Sequence, residues 1–199
     1  MIKAFIKEIR ESLDKEMYMS ALTLTLILPD MCGQVEYSGE KPKERYIKWF
    51  DNFVASSMRH RYDDDKIPYV SGQIAWDLRN NVIHGGDPDV NSKESDIQDF
   101  KLLVQEKGRS AYAGTSTCVM TKIINGQEIV EHRSITIALR DFCNTVCCCV
   151  NAYYKKNIDK FTFKYKVVNI DDMSAKLMVG VKREVYKKDE ENEGWDKMW

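Results

Sequence analysis

The stretch PKERYIKWFDNFV, residues 42–54, spaces its large apolar side chains at Tyr46, Trp49, Phe50, Phe53 and Val54. On an α-helix those positions fall in one stripe, whereas on a strand they would be split between two faces. Pro42 stands just ahead of the stripe, where a fixed φ and a missing N–H suit the start of a helix. A helix with so broad an aromatic face must bury it, with Trp49 mid-stripe in the core. The spacing therefore predicts a mainly helical protein.

Working outward, the same three-and-four spacing recurs upstream. Ile2, Phe5, Ile6, Ile9 and Leu13 predict a first helix. Asp14 is expected to cap a second, with Met17, Ala21, Leu24, Ile27 and Leu28 on its apolar face. Pro29 is expected to kink or end that helix and Gly33 to stop what remains. Downstream, the polar link HRYDDDKIP precedes Ser71, a cap for a fourth helix that runs to about His84 and ends on Gly85 and Gly86. Residues 87–96 read as loop, and a weaker, irregular stretch follows to Gly108.

STCVMTKIINGQEIVEH, residues 116–132, changes to β character, and Asn125-Gly126 predicts a hairpin over about 117–133. Ser134 is expected to open a long last helix carrying Ile135, Leu139, Phe142, Val146, Val150 and Tyr154. KFTFKYKVV alternates with period two and predicts a strand, joined by AKLMVGV, before an acidic tail that holds Trp195 and Trp199. The expectation is a single domain over 1–199: a helical core over about 2–157, a small β appendage, and a C-terminal β segment and tail over 160–199.

Composition narrows the function classes. Lys plus Arg number 30 and Asp plus Glu 31, so no global positive field attracts nucleic acid, and any phosphate binding must come from a local patch. No apolar run approaches the ~20 residues of a membrane span, and the N-terminus lacks a signal-peptide core, so the expected setting is cytoplasmic. Of the six cysteines, Cys143, Cys147, Cys148 and Cys149 crowd one segment with no C-x-x-C pair. That pattern predicts reduced core thiols rather than a disulfide scaffold or a zinc knuckle, although Cys143 and Cys147 share a helix face with His132 not far upstream. No glycine-rich loop precedes a helix to cradle a nucleotide, and no cofactor or metal is expected.

The chemically equipped stretch is WDLRNNVIHGG, residues 76–86. Ile74, Ala75, Leu78 and Val82 fall on one side of the helix, predicted to pack inward. Roughly opposite lie Trp76, Arg79, Asn80, Ile83 and His84. Two readings stand side by side. A histidine in a last turn stabilises a helix terminus by roughly 0.3–1 kcal/mol when charged, with no further role. Alternatively, Trp76 and Ile83 meet a second copy about a twofold axis, and two arginines and two histidines converge in one cleft. That cleft suits RNA cleavage: His84 moves protons near neutral pH, Arg79 offers a fork of donors to the charged phosphorane, and Asn80 orients a phosphate or ribose oxygen. DNA, without a 2′-hydroxyl, would be inert.

Arg79-Asn80-x-x-x-His84 resembles the R-x4–6-H signature of the higher eukaryotes and prokaryotes nucleotide-binding (HEPN) domains, polar residue after the arginine included. SALTLTLILPDMCGQVEY resembles the leucine-rich helix of one bacterial branch, ending in a Pro-Asp-x-Cys-Gly turn. RYIKWFDNFV is similar to its aromatic helix, LRNNVIHGG to its active-site helix, and ITIALRDFCNTV to the opening of its final helix. The likeness runs in order from about Met17 to Tyr154. It implies a bundle of four or five helices, usually dimeric, and in catalytic members a metal-independent endoribonuclease. Many members are toxins of toxin–antitoxin pairs or defence effectors, so an antitoxin or regulatory protein joins RNA among the implied partners. Arg79 and His84 take the catalytic positions and Asn80 the polar helper, while Asp30 of the matched turn reads as structural. Toxins silenced by nucleotide transfer carry a tyrosine two residues after the histidine, where this chain has Gly86. Some members keep the fold and only bind, so a second class stands beside the enzyme: a silent module docking a partner protein through the Trp76/Ile83 face.

Overall fold

The computed structural model describes residues 1–58, 70–85, 97–104, 115–125 and 127–162. The HRYDDDKIP link, the 87–96 loop, Gly86, Gly126, the KFTFKYKVV strand beyond Thr162, AKLMVGV and the tryptophan-bearing tail lie outside those residues. Among those described, five α-helices precede or follow a small sheet: α1 (Ile2–Asp14), α2 (Tyr18–Glu36), α3 (Pro42–Phe53), α4 (Gly72–Ile83), β1 (Asp99–Leu103), β2 (Ser116–Ile124), β3 (Gln127–Ala138) and α5 (Leu139–Lys156). The protein is mainly helical with a three-stranded sheet.

α2 is the central post, touching α1, α3, α4 and α5. Its buried residues, Ala21, Leu22, Thr25, Leu26, Leu28, Cys32 and Gly33 among them, make one broad face, and Leu24 and Ile27 on the other side are half-buried. Met17, expected on an inward face, is exposed, and it rather than Asp14 occupies the N-cap, without a side-chain bond. Pro29 and Gly33 do not end the helix either; both lie inside it. A proline in a helix interior costs about 3 kcal/mol, and burial against four neighbouring helices outweighs it. Gly33 is there for space: a Cβ would stand 2.8 Å from the Arg45 carbonyl oxygen of α3.

α3 carries its predicted face into the core, with Tyr46, Trp49, Phe50 and Val54 fully buried and Phe53 half-buried. Trp49 packs edge-on to Tyr153 of α5, and Phe50 stacks with Phe142. Tyr153, not the expected Tyr154, is the inward residue of α5, and its hydroxyl donates to Glu36 Oε2 at 2.6 Å. That bond ties the C-terminal ends of α2 and α5.

The sheet has the order β1-β3-β2, with β1 parallel and β2 antiparallel to β3. Residues 134–138, expected to start the last helix, are strand: Ser134–Ala138 pair with Asp99–Leu103, and Ile135 and Ile137 point inward at period two. The parallel partner lies far away in sequence, so local periodicity could not announce it. α5 accordingly begins at Leu139. Cys143 and Cys147 are buried on α5 and Cys148 is exposed; all six cysteines are free thiols. Burial pushes the Cys143 thiol up to about 11 and Cys147 to about 12, so both stay protonated. Among the described residues no helix is long and apolar enough to cross a membrane.

Candidate active site

α4 is seated by its first turn. Ser71 Oγ accepts from the Ile74 amide at 3.3 Å, the predicted cap. The Gly72 amide donates to Asp51 Oδ1 of α3 at 2.6 Å. A Cβ on Gly72 would overlap the Ile47 carbonyl oxygen, so only glycine lets the two helix backbones come this close. Desolvation raises the Asp51 carboxyl above its ordinary range, and the Gly72 bond opposes that shift. α3 is thus approached at the backbone from both sides, by Gly33 of α2 and Gly72 of α4.

One turn on, Trp76 packs edge-on against the buried Tyr46 of α3, ring centroids 5.2 Å apart. Trp76 is therefore half-buried rather than open. The Arg79 guanidinium lies over the Trp76 ring, its carbon 4.9 Å from the centroid, and Nη1 donates to Asn80 Oδ1 at 3.0 Å. A cation over an indole face gains about 0.5–2 kcal/mol, more as water is excluded. Arg79 Nε and the Tyr46 hydroxyl are both buried without a hydrogen-bond partner among the described residues. Burial drives the Tyr46 phenol far above its usual range, with Arg79 pulling it down and Asp30 pushing it up, so this hydroxyl is neutral. Asp30 is itself engaged by Arg45, whose Nη2 lies 3.2 Å from Oδ1. The carboxylate of the Pro-Asp-x-Cys-Gly segment thus ties α2 to α3.

His84 is the C-cap residue of α4, its amide donating to Asn80 O at 2.9 Å, and Gly85 follows at φ +71°, the left-handed conformation that glycine adopts without strain. The His84 side chain is exposed, and Ile83 beside it is 40% exposed. Five positions along a helix separate Arg79 and His84 by about 7.5 Å of rise and roughly 140° of rotation. No hydrogen bond joins their side chains. The single chain gathers Trp76, Arg79 and Asn80 into one contact group and leaves His84 and Ile83 at the exposed end of the same helix.

Sequence reasoning placed Tyr46 in the core as an apolar ring and gave its hydroxyl no role. The available signal was its chemical type: a tyrosine in a stripe otherwise of Trp, Phe and Val brings a polar atom that must find company. Asp77, on the same helix, is another buried polar group; Oδ1 accepts from Gln73 Nε2 at 2.9 Å and Oδ2 has no partner among the described residues. His132 lies across from Asp99 at 3.9 Å on the sheet, remote in sequence from α4. Among the described residues no group of three or more His, Cys, Asp or Glu side chains is gathered as for a metal ion.

Comparison with protein-family models gives no match to this chain, and neither curated proteins nor solved structures give one.

Proposed function

We infer that the protein is an endoribonuclease of the HEPN type, acting on single-stranded RNA as a homodimer without a metal. The observation that carries this reading is the Arg79–Asn80 pair, held over Trp76 on a helix whose open end presents His84. In the reaction the 2′-oxygen attacks the adjacent phosphorus, a new 2′-O–P bond forms and the P–5′-O bond breaks. One histidine takes the 2′-proton and another supplies a proton to the departing 5′-oxygen. Arg79 faces the extra negative charge of the phosphorane with directed N–H donors. A single chain keeps its arginine and histidine apart around the helix, and a twofold copy of α4 provides the second pair. A role as toxin or defence effector, restrained by an antitoxin or regulatory protein, is compatible with such an activity.

The test is cleavage of single-stranded RNA by purified protein in excess chelator, with the products examined for 2′,3′-cyclic phosphate ends. Cleavage that appears only when magnesium or manganese is added overturns the mechanism. A folded protein that leaves RNA intact and instead binds a protein through Ile83 favours the silent docking module, for which the exposure of Ile83 speaks.

A further inference from the structure

The polar interior beneath α4 contains a mismatch. Among the described residues Arg79 Nε–H is a donor with no acceptor, and Tyr46 Oη is a donor and acceptor with no partner, and both are buried. They belong to one packed group: Tyr46 touches Trp76, Trp76 carries the Arg79 guanidinium, and the Arg79 charge acts on the Tyr46 phenol. One N–H···O bond between them would satisfy both. In the present arrangement the guanidinium lies over Trp76 with Nη1 tied to Asn80. Buried polar atoms without partners are rare in folded proteins, and here a donor and an acceptor fall in one contact group.

We propose that Tyr46 is a positioning residue for Arg79: its buried hydroxyl accepts the Nε–H once a phosphodiester oxygen draws Nη1 away from Asn80. The inner edge of the guanidinium is then anchored on α3 and its outer N–H groups face the phosphate. Asn80 is released to meet the ribose or a second phosphate oxygen. The exchange is balanced in hydrogen bonds, because the phosphate replaces Asn80 as acceptor and Tyr46 fills the orphaned position. Asp30, the other charge felt by the phenol, stays on Arg45, and so does not compete for the guanidinium. Tyr46 touches no reacting atom and acts only through Arg79. The inference rests on the ribonuclease reading.

Tyr46→Phe keeps the ring against Trp76 and removes only the oxygen, which has no partner among the described residues. A merely structural hydroxyl would then be dispensable, so melting temperature should hold or rise while cleavage falls. A misplaced catalytic group costs up to about 100-fold; the expected loss in kcat is about 10–100-fold, with KM changed less than about threefold and the acid limb of the pH–rate profile unmoved. Tyr46→Leu, which loses the ring as well, should lower both melting temperature and activity and shows what packing damage looks like. If wild-type protein cleaves RNA and Tyr46→Phe has the same kcat, the positioning role is overturned and the enzyme reading stands. If wild-type protein does not cleave, the enzyme reading fails at the outset, and this inference with it.

Discussion

At the scale of single residues, Arg79 and His84 are expected to separate chemistry from folding. His84→Ala should lose about 10²–10⁴-fold in cleavage rate, the usual reach of a general acid or base. The side chain is exposed and only its backbone amide closes the helix, so melting temperature should stay near that of the wild type. A lowered melting temperature with cleavage intact per folded molecule would return His84 to helix capping, worth at most about 1 kcal/mol at this exposed site. Arg79→Lys keeps the charge but loses the fork, and with it the guanidinium's place over Trp76 and the simultaneous bond to Asn80, so it should also be strongly impaired. That Arg79, Asn80 and His84 would share the end of one helix was legible in the sequence, because they are close neighbours in the chain. Tyr46 was legible as core and not as a neighbour of Trp76, because that contact depends on how α3 and α4 meet. Nothing in the local pattern around either residue encodes it.

At the scale of elements, the helices read from the sequence were those whose signals are local. Ser71 caps α4, Pro42 begins α3, and the aromatic stripe is buried, each through contacts within a few residues or through plain hydrophobicity. The misreadings share the opposite property. Pro29 and Gly33 looked like stops, but α2 is held by contacts with four other helices, and Ser134 looked like a helix start although its segment pairs with a strand remote in the chain. Gly72 turns this dependence into a test. A methyl at Gly72 must push α4 off the Ile47 backbone, and overpacking of this kind costs about 1–3 kcal/mol. Gly72→Ala should therefore lower the melting temperature by about 2–12 °C in a protein of this size, and cleavage should fall as α4 shifts. An unchanged melting temperature would mean that α4 is not seated as described. The α2–α5 tie predicts a pH effect as well. The Tyr153 hydrogen bond, aided by Lys160, holds the Glu36 carboxyl below its ordinary value of 4.5 against desolvation. A carboxyl depressed in the folded state stabilises above its unfolded value, and that contribution is lost as pH falls through the folded value. Acid titration of the melting temperature should accordingly be shallower below pH 4.5 in Tyr153→Phe than in the wild type. Parallel titrations would exclude this tie as a source of the acid sensitivity.

At the scale of the whole molecule, one question decides whether the separate pieces form a working site: does catalysis need two copies? In one chain the guanidinium of Arg79 is folded back over Trp76, and His84 stands free around the helix. A twofold axis beside Ile83 would bring the arginine of one copy toward the histidine of the other. The interface is better probed at Ile83 than at Trp76. Ile83 is 40% exposed, whereas Trp76 braces Tyr46 and Arg79, so a charge there would damage the fold as well as the contact. Ile83→Glu should shift sedimentation from dimer to monomer and reduce cleavage in proportion, with the monomer's melting temperature little changed. The sharper experiment mixes two dead proteins. Arg79→Ala supplies His84 only and His84→Ala supplies Arg79 only, so neither homodimer holds a complete set. A heterodimer formed by refolding the two together has one arginine and one histidine, contributed by different chains. If the cleft is built across the twofold, part of the activity should reappear in the mixture, with water protonating the 5′-oxygen in place of the missing second histidine, and vanish again when either partner also carries Ile83→Glu. If each chain completes its own site, no mixture of the two can recover cleavage, and a monomer active at high micromolar concentration would show the same thing directly.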